Sequence, residues 1–383
     1  MKLWSFAAAA AAVGSVSAFN LPQFAQDAID SGLALAALNG IALVNSATRF
    51  GGSCNIANVK VRQEWRHLSA TARKKYIAAV QCLMTKPSLL PEGVAPGSKS
   101  LFDDFVFVHL NQTFFIHQTG NFLIWHRYFL HIYEKKLKEE CGFTGTLPYW
   151  EWGYDVNDLR ASPVFDGSDT SMGSDGEFVP GGPMSIEIPF NPGPIVLAKG
   201  TGGGCLFKGP FKGMQIRLGP ATQPDPTQDN PRCLSRDLNV DAGRRFATFR
   251  NTTETIIHSP TIEIFRTTLE GDPNYVPMSL GIHGGGHFMI SGDPGADAFI
   301  SPGDPAFYLH HGQVDRVYWI WQMLDYENRR GVFGTNTFLN LLPSPNTTVE
   351  DYVDLGHLAP PIKIKNLMST IGGEGSPLCY LYL

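Results

Sequence analysis

The chain has 383 residues, 43% of them hydrophobic and 17% charged, with a formal net charge of −5 at pH 7. That balance describes a folded globular protein with a large core and excludes a disordered chain. No basic run or stripe appears, so a nucleic-acid partner is not expected.

The first residues read as a secretory signal. Lys2 precedes an Ala-rich apolar stretch from Leu3 to Val13, and Val16-Ser17-Ala18 supplies small residues for cleavage. Residues 1–18 are therefore assigned as a signal peptide, with the mature chain beginning near Phe19, and the protein is expected to be secreted and extracellular. No later stretch reaches the ~20 apolar residues of a membrane span. The run from Leu33 to Val44 comes closest and is broken by Asn39 and Gly40.

Residues 19–50 read as a helical hairpin or propeptide-like arm, on the pattern Phe24, Ala28, Leu33, Leu35 and Leu38. Residues 51–383 read as a single domain. Ser69 caps a helix through Tyr76, Val80 and Leu83. The next helix starts at Leu101 with Phe102, Phe105, Val106 and His109 on one face. It is predicted to end by Leu110, leaving His117 in a polar loop. Asn121 opens the clearest helix, in which Phe122, Trp125, His126, Phe129, Leu130, Tyr133 and Leu137 share a face until Gly142 stops it. From Pro148-Tyr149-Trp150-Glu151-Trp152 to about residue 240 the chain is rich in Gly and Pro, and reads as a surface excursion tied by Cys205 and Cys233. Helicity resumes from Arg245 to Leu269, around His283 and His287, and from Pro305 to Glu327, with Asp304 as N-cap and Pro305 as first helical residue.

Six Cys in a secreted chain suggest three disulfides, for which about 15 pairings exist. The preferred set is Cys54 with Cys379, Cys82 with Cys141, and Cys205 with Cys233. Glycosylation sequons stand at Asn111, Asn251 and Asn346, of which Asn111 is expected to be too buried for use.

Six of the eleven His fall into two groups of three. His283 and His287 are four apart, so on a helix both rings leave one face, and His311 joins them from the next helix with Phe307, Val314 and Tyr318 on its side. His109, His117 and His126 form the second group. His67, His131, His258 and His357 read as ordinary core or surface residues. For His109, His126, the His283/His287 pair and His311 to point inward, four helices must converge, and a metal site in a four-helix bundle is the economical solution. The fold class is thus mainly α, a central four-helix bundle with long Gly/Pro-rich loops and few short strands. All-imidazole sites disfavour magnesium, calcium and di-iron carboxylate chemistry and suit copper or zinc. Two in one bundle favour a pair of coppers meeting dioxygen, and a di-zinc hydrolase is a rival reading.

These features resemble the tyrosinase and catechol oxidase (polyphenol oxidase) family of type 3 copper proteins, especially short secreted fungal members. The resemblance rests on the His109, His117, His126 spacing, on Asn121-Phe122-Leu123-Ile124-Trp125-His126-Arg127-Tyr128, and on Pro148-Tyr149-Trp150-Glu151-Trp152. Its most specific element is Asp304-Pro305-x-Phe307-x-x-His310-His311-x-x-x-Asp315-Arg316, with Tyr380-Leu381-Tyr382 as a closing motif. It implies a dinuclear centre in which His109, His117 and His126 hold copper A and His283, His287 and His311 hold copper B. His310 would stand behind the ligands, Phe307 beside copper B, and Asp315 would orient groups behind the ligands. It implies O2 as co-substrate, small phenols as partners, and oxidation of catechols to o-quinones with O2 reduced to water.

Monophenol hydroxylation in the family needs a water held by a Glu and by an Asn after the first copper B His. Here Glu270 matches the Glu, but Gly284 replaces the Asn. The resemblance therefore implies o-diphenol oxidation with weaker monophenol hydroxylation. A full tyrosinase, an o-aminophenol oxidase and a haemocyanin-like oxygen carrier are the alternatives. Phe115 occupies the position of a Cys that many relatives link to the middle copper A His, so His117 is expected to be fixed by loop packing alone. Ala298, six residues before Asp304, aligns with the position that gates the pocket.

Overall fold

The computed structural model describes residues 21–383; the expected signal peptide lies outside the described residues. Helices α1 (Leu21–Asp30) and α2 (Leu33–Ser46) turn on Gly32. Strand β1 (Lys60–Arg62) and α3 (Ala70–Leu83) lead to α4 (Leu101–Ile116) and α5 (Phe122–Cys141). Short strands follow: β2 (Gly176–Phe178), β3 (Met184–Ile186), β4 (Ile195–Leu197), β5 (Gly203–Leu206), β6 (Gln215–Ile216) and β7 (Arg232–Cys233). Then come α6 (Val240–Phe246), α7 (Phe249–Ile257), α8 (Ile262–Glu270), α9 (Gly281–Ile290), the single turn α10 (Gly292–Gly295) and α11 (Ala306–Leu324). The tail carries β8 (Tyr352–Val353), β9 (Ile362–Lys363) and β10 (Tyr380–Tyr382). Strands pair only two at a time, and β10 returns to lie parallel to β1.

The expected helix-rich architecture is observed. α4, α5, α9 and α11 converge, and α11 is buried along nearly its whole length. Burial on every side explains why α11 reads apolar all round, broken by Gln313, Asp315, Arg316 and Gln322, which pair internally, and by His310 and His311. α2 lies against α11 with Leu35 and Ala42 buried, and Asn39 accepts from Arg316 Nε at 3.0 Å. No single helix among the described residues is long and apolar enough to cross a membrane.

Four expectations need correction. α4 does not stop at His109 or Leu110 but runs to Ile116, because its polar residues find partners: the Thr113 hydroxyl donates to the His109 carbonyl at 2.7 Å, and Gln112 accepts from Trp125 Nε1 at 2.9 Å. A capping box between Ser100 and Asp103 fixes its start. Asn111 sits on the outward face of this helix and is exposed rather than buried. The stretch from Pro148 to residue 240 is not a surface excursion throughout. Trp150, Trp152, Phe165 and Met172 are core residues, Trp150 N–H donates to the Leu309 carbonyl at 3.0 Å, and fully buried Arg236 forms a fork with Asp304 at 2.7 and 2.8 Å. Asp304 still receives the Ala306 N–H at 2.8 Å, which serves the start of α11. The predicted helical run from Arg245 to Leu269 is α6, α7 and α8, separated at their caps Thr248 and Thr261.

The three preferred disulfides are all present. Cys54–Cys379 closes the ends of the core on each other, beside the β1–β10 pair.

Candidate metal centre

α4 delivers His109 in its third turn and His117 at its C-cap, while α5 delivers His126 from its second turn. Each ring is held through Nδ1 by a backbone carbonyl: His109 by Phe299 at 2.8 Å, His117 by Thr113 at 3.0 Å and His126 by Phe122 at 2.8 Å. A carbonyl can only accept, so the proton sits on Nδ1 and the lone pair on Nε2. Nε2 of His109 and of His126 is buried without a protein partner. The ligand-capable nitrogens of the three rings lie within 4.8 Å of one another. His117 is therefore not fixed by loop packing alone; the carbonyl one helical turn behind it does the work that the missing thioether would do.

The second cluster sits on α9 and α11. His287 Nε2 lies 3.1 Å from His283 Nε2 and 3.1 Å from His311 Nε2, so three nitrogens aim at one point. His310 is drawn into the same group within 4.8 Å, its ring edge-on to His287 at 4.3 Å between centroids. Both His310 nitrogens and Trp152 Nε1 are buried without partners. Burial, and secondarily the neighbouring rings, push these imidazoles below their ordinary range, His287 to about 3; for His117, burial alone pushes it to about 4. They are therefore neutral near pH 7, the form that binds a metal.

The clusters abut. His126 stacks on His311 at 4.4 Å, and His117 on His283 at 6.0 Å. Phe307 fills the space between them, stacked on His311 at 4.1 Å and edge-on to His109 at 5.5 Å. Phe122, which sequence reading treated as core, also presses on His283 at 4.6 Å.

α9 contains Gly284, Gly285 and Gly286, poor helix formers at about 1 kcal/mol each. Packing explains the last of them. A Cβ on Gly286 would stand 2.3 Å from His310 Nδ1 and 3.0 Å from Trp152 Nε1. Gly286→Ala is expected to cost about 1–3 kcal/mol and to lower metal content by displacing His310 and α11. Gly284→Ala is the control, because a Cβ there meets only Leu280 closer than 3.8 Å. Thermal melting and metal analysis of the two variants check this, and equal behaviour would refute it.

A cavity of about 230 Å³ opens onto the second cluster. His117, His283 and His287 form its floor, Ala298 and Gly284 stand on its wall, and Glu270 lies at its side. Gly281 has φ +59° and approaches Leu269 and Gly271 so closely that any side chain would clash, which brings the end of α8 beside α9 and Glu270 beside His283. Glu270 accepts the Gln118 N–H at 2.7 Å and an Arg266 N–H at 3.3 Å. Burial pushes its carboxyl up to about 8, against the pull of Arg266 and Gln118. Sequence reading missed Gln118, Phe338 and the β3–β4 loop on the far wall. The loop is remote in sequence and carries no metal-ligand residue type in any recognisable spacing.

Asp315 does not orient any cluster ring. It receives Arg127 Nε at 2.7 Å and the Tyr380 and Tyr382 hydroxyls at 2.6 Å each, with Arg62 at 3.4 Å.

Comparisons with known proteins agree with this geometry. The family described as the common central domain of tyrosinase matches residues 99–324, which contain both clusters. The chain is 42% identical over 339 residues to tyrosinase P of Aspergillus terreus, covering 84% of this chain and 91% of the relative. It is 37% identical over 351 residues to an N-acetyl-6-hydroxytryptophan oxidase of Emericella nidulans, covering 86% and 93%. A solved structure of a mutant polyphenol oxidase from Thermothelomyces thermophila superposes with a TM-score of 0.85 at 40% identity, covering 91% of this chain and 98% of that one. By its paired imidazole clusters, its helical core and these likenesses, the chain belongs to the tyrosinase family of dinuclear type 3 copper oxidases, which act on phenols with O2.

Proposed function

We propose that the protein is a secreted catechol oxidase with weaker monophenol hydroxylation. The observation that carries this reading is the bare wall at Gly284. His109, His117 and His126 would hold one copper, and His283, His287 and His311 the other. When bound, the copper pair supplies the redox chemistry by which O2 takes electrons from the substrate and is reduced to water. The chain's own residues do the rest. The neutral rings are held ready by backbone carbonyls, the apolar cavity takes one aromatic ring and excludes water, and Phe307 keeps the clusters at a fixed separation.

A catechol gives up its two protons as it is oxidised, whereas a monophenol must first give its proton to a base at the site before its ring is hydroxylated. Glu270 is the carboxyl at hand, but burial favours its protonated form and Arg266 and Gln118 already occupy its oxygens. Gly284 offers no side chain to hold a water beside it. Catechol oxidation is thus the easier reaction. The relatives' names include tyrosinases and an oxidase of a hydroxylated indole, which supports a phenol-class substrate. Three disulfides support passage through an oxidising compartment.

Oxygen uptake by copper-loaded protein tests this, with 4-methylcatechol and then 4-methylphenol as substrate. Fast uptake with the first and slow uptake with the second is expected. Gly284→Asn should raise the monophenol-to-diphenol rate ratio about tenfold, since a Cβ there crowds only Leu280, at 3.1 Å, which must give by a few tenths of an ångström. An unchanged ratio, or brisk monophenol turnover in the native protein, would overturn the assignment.

A further inference from the structure

The cavity over the second cluster has an uneven charge. Part of its wall is the end of β3, which contributes Ile186, and the loop that joins β3 to β4, which contributes Glu187, Ile188 and Pro189. This loop is built to stay there. Asn191 Nδ2 donates to the Gly193 carbonyl at 2.6 Å, and Asn191 Oδ1 receives the Met278 N–H at 2.7 Å. Met278 lies in the connection between Glu270 and α9, so the hairpin tip is tied to the segment that positions His283.

Two carboxyl groups line the cavity, and no Lys or Arg does. They differ in kind. Glu270 is buried and accepts a hydrogen bond from Arg266 at 3.3 Å. Glu187 is exposed at the mouth, and among the described residues no ion pair or side-chain hydrogen bond neutralises it. A solute entering the cavity therefore passes one uncompensated negative side chain at the mouth and no Lys or Arg along the wall, while copper held at the floor would act on the ring hydroxyls rather than on a substituent at the mouth.

Ring hydroxyls must face the imidazole floor, so a substituent para to them points back toward the mouth and past Glu187. We propose that Glu187 sets the substrate class of this site, favouring phenols and catechols whose ring substituent carries an ammonium over those ending in a carboxylate. The proposal rests on the catechol oxidase reading but deepens it with a separate residue on a separate element. The attraction acts across a few ångströms of partly aqueous space, so its expected size is about three- to tenfold in KM at low salt, fading as ions screen it.

The test compares 4-(2-aminoethyl)catechol, 4-ethylcatechol and 3-(3,4-dihydroxyphenyl)propanoate on the copper-loaded protein. KM should rise in that order. Addition of 0.5 M salt should compress the spread, roughly by the loss of long-range attraction expected when the screening length falls below ~5 Å. Glu187→Gln should flatten the series while leaving kcat for 4-ethylcatechol unchanged, and Glu187→Lys should reverse it. The same order in all three proteins would overturn the proposal. Anaerobic calorimetric titration of the Cu(I)-loaded protein with the three compounds reads the ranking without oxidation, because Cu(I) takes no electrons from a catechol. Failure to oxidise any of them therefore counts against the oxidase reading, while the binding order still decides the role of Glu187.

Discussion

Replacing His287 by Ala is expected to leave about one copper per chain instead of two and to lower O2 uptake with 4-methylcatechol on the order of 10³-fold or more. His287 is the hub of its cluster, since its Nε2 stands 3.1 Å from both His283 Nε2 and His311 Nε2. Removing it leaves two converging donors and takes away the ring packed edge-on to His310. The first cluster keeps its three carbonyl-held rings and should keep its metal. Oxidation of a catechol by two electrons needs both metals, so the activity loss should be far larger than the halving of copper. Elemental analysis and oxygen electrode traces on one preparation measure both quantities. His310 gives the experiment a second edge, because its nitrogens are unpartnered and within the same 4.8 Å group. Two full coppers in His287→Ala, lost only when His310 is also replaced, would show that His310 is a ligand and that the assigned set is wrong.

The metal centre was legible in the sequence because metal ligation demands rare residue types at helical spacings. His283 and His287 four apart, His311 after a helix-starting Asp304-Pro305, and His126 within a strong amphipathic pattern each specify a helix and a face. What was illegible depended on tertiary partners. Nothing local to Asn111-Gln112-Thr113 announces that Gln112 will receive a Trp125 N–H, so the true end of α4 was hidden. Asp315 has the right spacing to act behind a ligand, yet its partners come from β1, α5 and β10, and only their folding together reveals them. Trp150 and Trp152 looked like residues of an irregular excursion; their burial depends on α11 passing over them. The β3–β4 loop reaches the cavity through a single tether at Met278, and no periodicity marks such a contact.

Asp315→Asn should destabilise the protein by about 3–5 kcal/mol while leaving kcat per bound copper in the folded fraction unchanged. Asp315 is buried and receives Arg127, Arg62 and both hydroxyls of Tyr380 and Tyr382, joining α11 to α5, β1 and β10. Arg62 also pairs with Glu134 at 2.8 Å, and Arg127 with Gln322 at 2.9 Å. Two buried guanidiniums thus face two carboxylates, and the isosteric amide leaves one positive charge without a counterpart. Stacking of Arg62 on Tyr380 at 3.7 Å cannot substitute for it. Burial alone would raise the Asp315 carboxyl, but Arg127, Arg62 and the two hydroxyls outweigh it and hold the carboxyl below its ordinary value. A carboxyl depressed in the folded state stabilises above the unfolded value of about 4 and loses that contribution as pH falls through its folded value. Native protein should therefore lose stability in acid below about pH 4 more steeply than Asp315→Asn, which has already lost this contribution near neutrality. Urea midpoints of both proteins across pH 3 to 7 measure the difference. Equal midpoints at pH 7 would mean that the β1–β10 pair and the Cys54–Cys379 bridge hold the ends of the core without this charge. A fall in kcat per copper would mean instead that Asp315 reaches the imidazoles through α11.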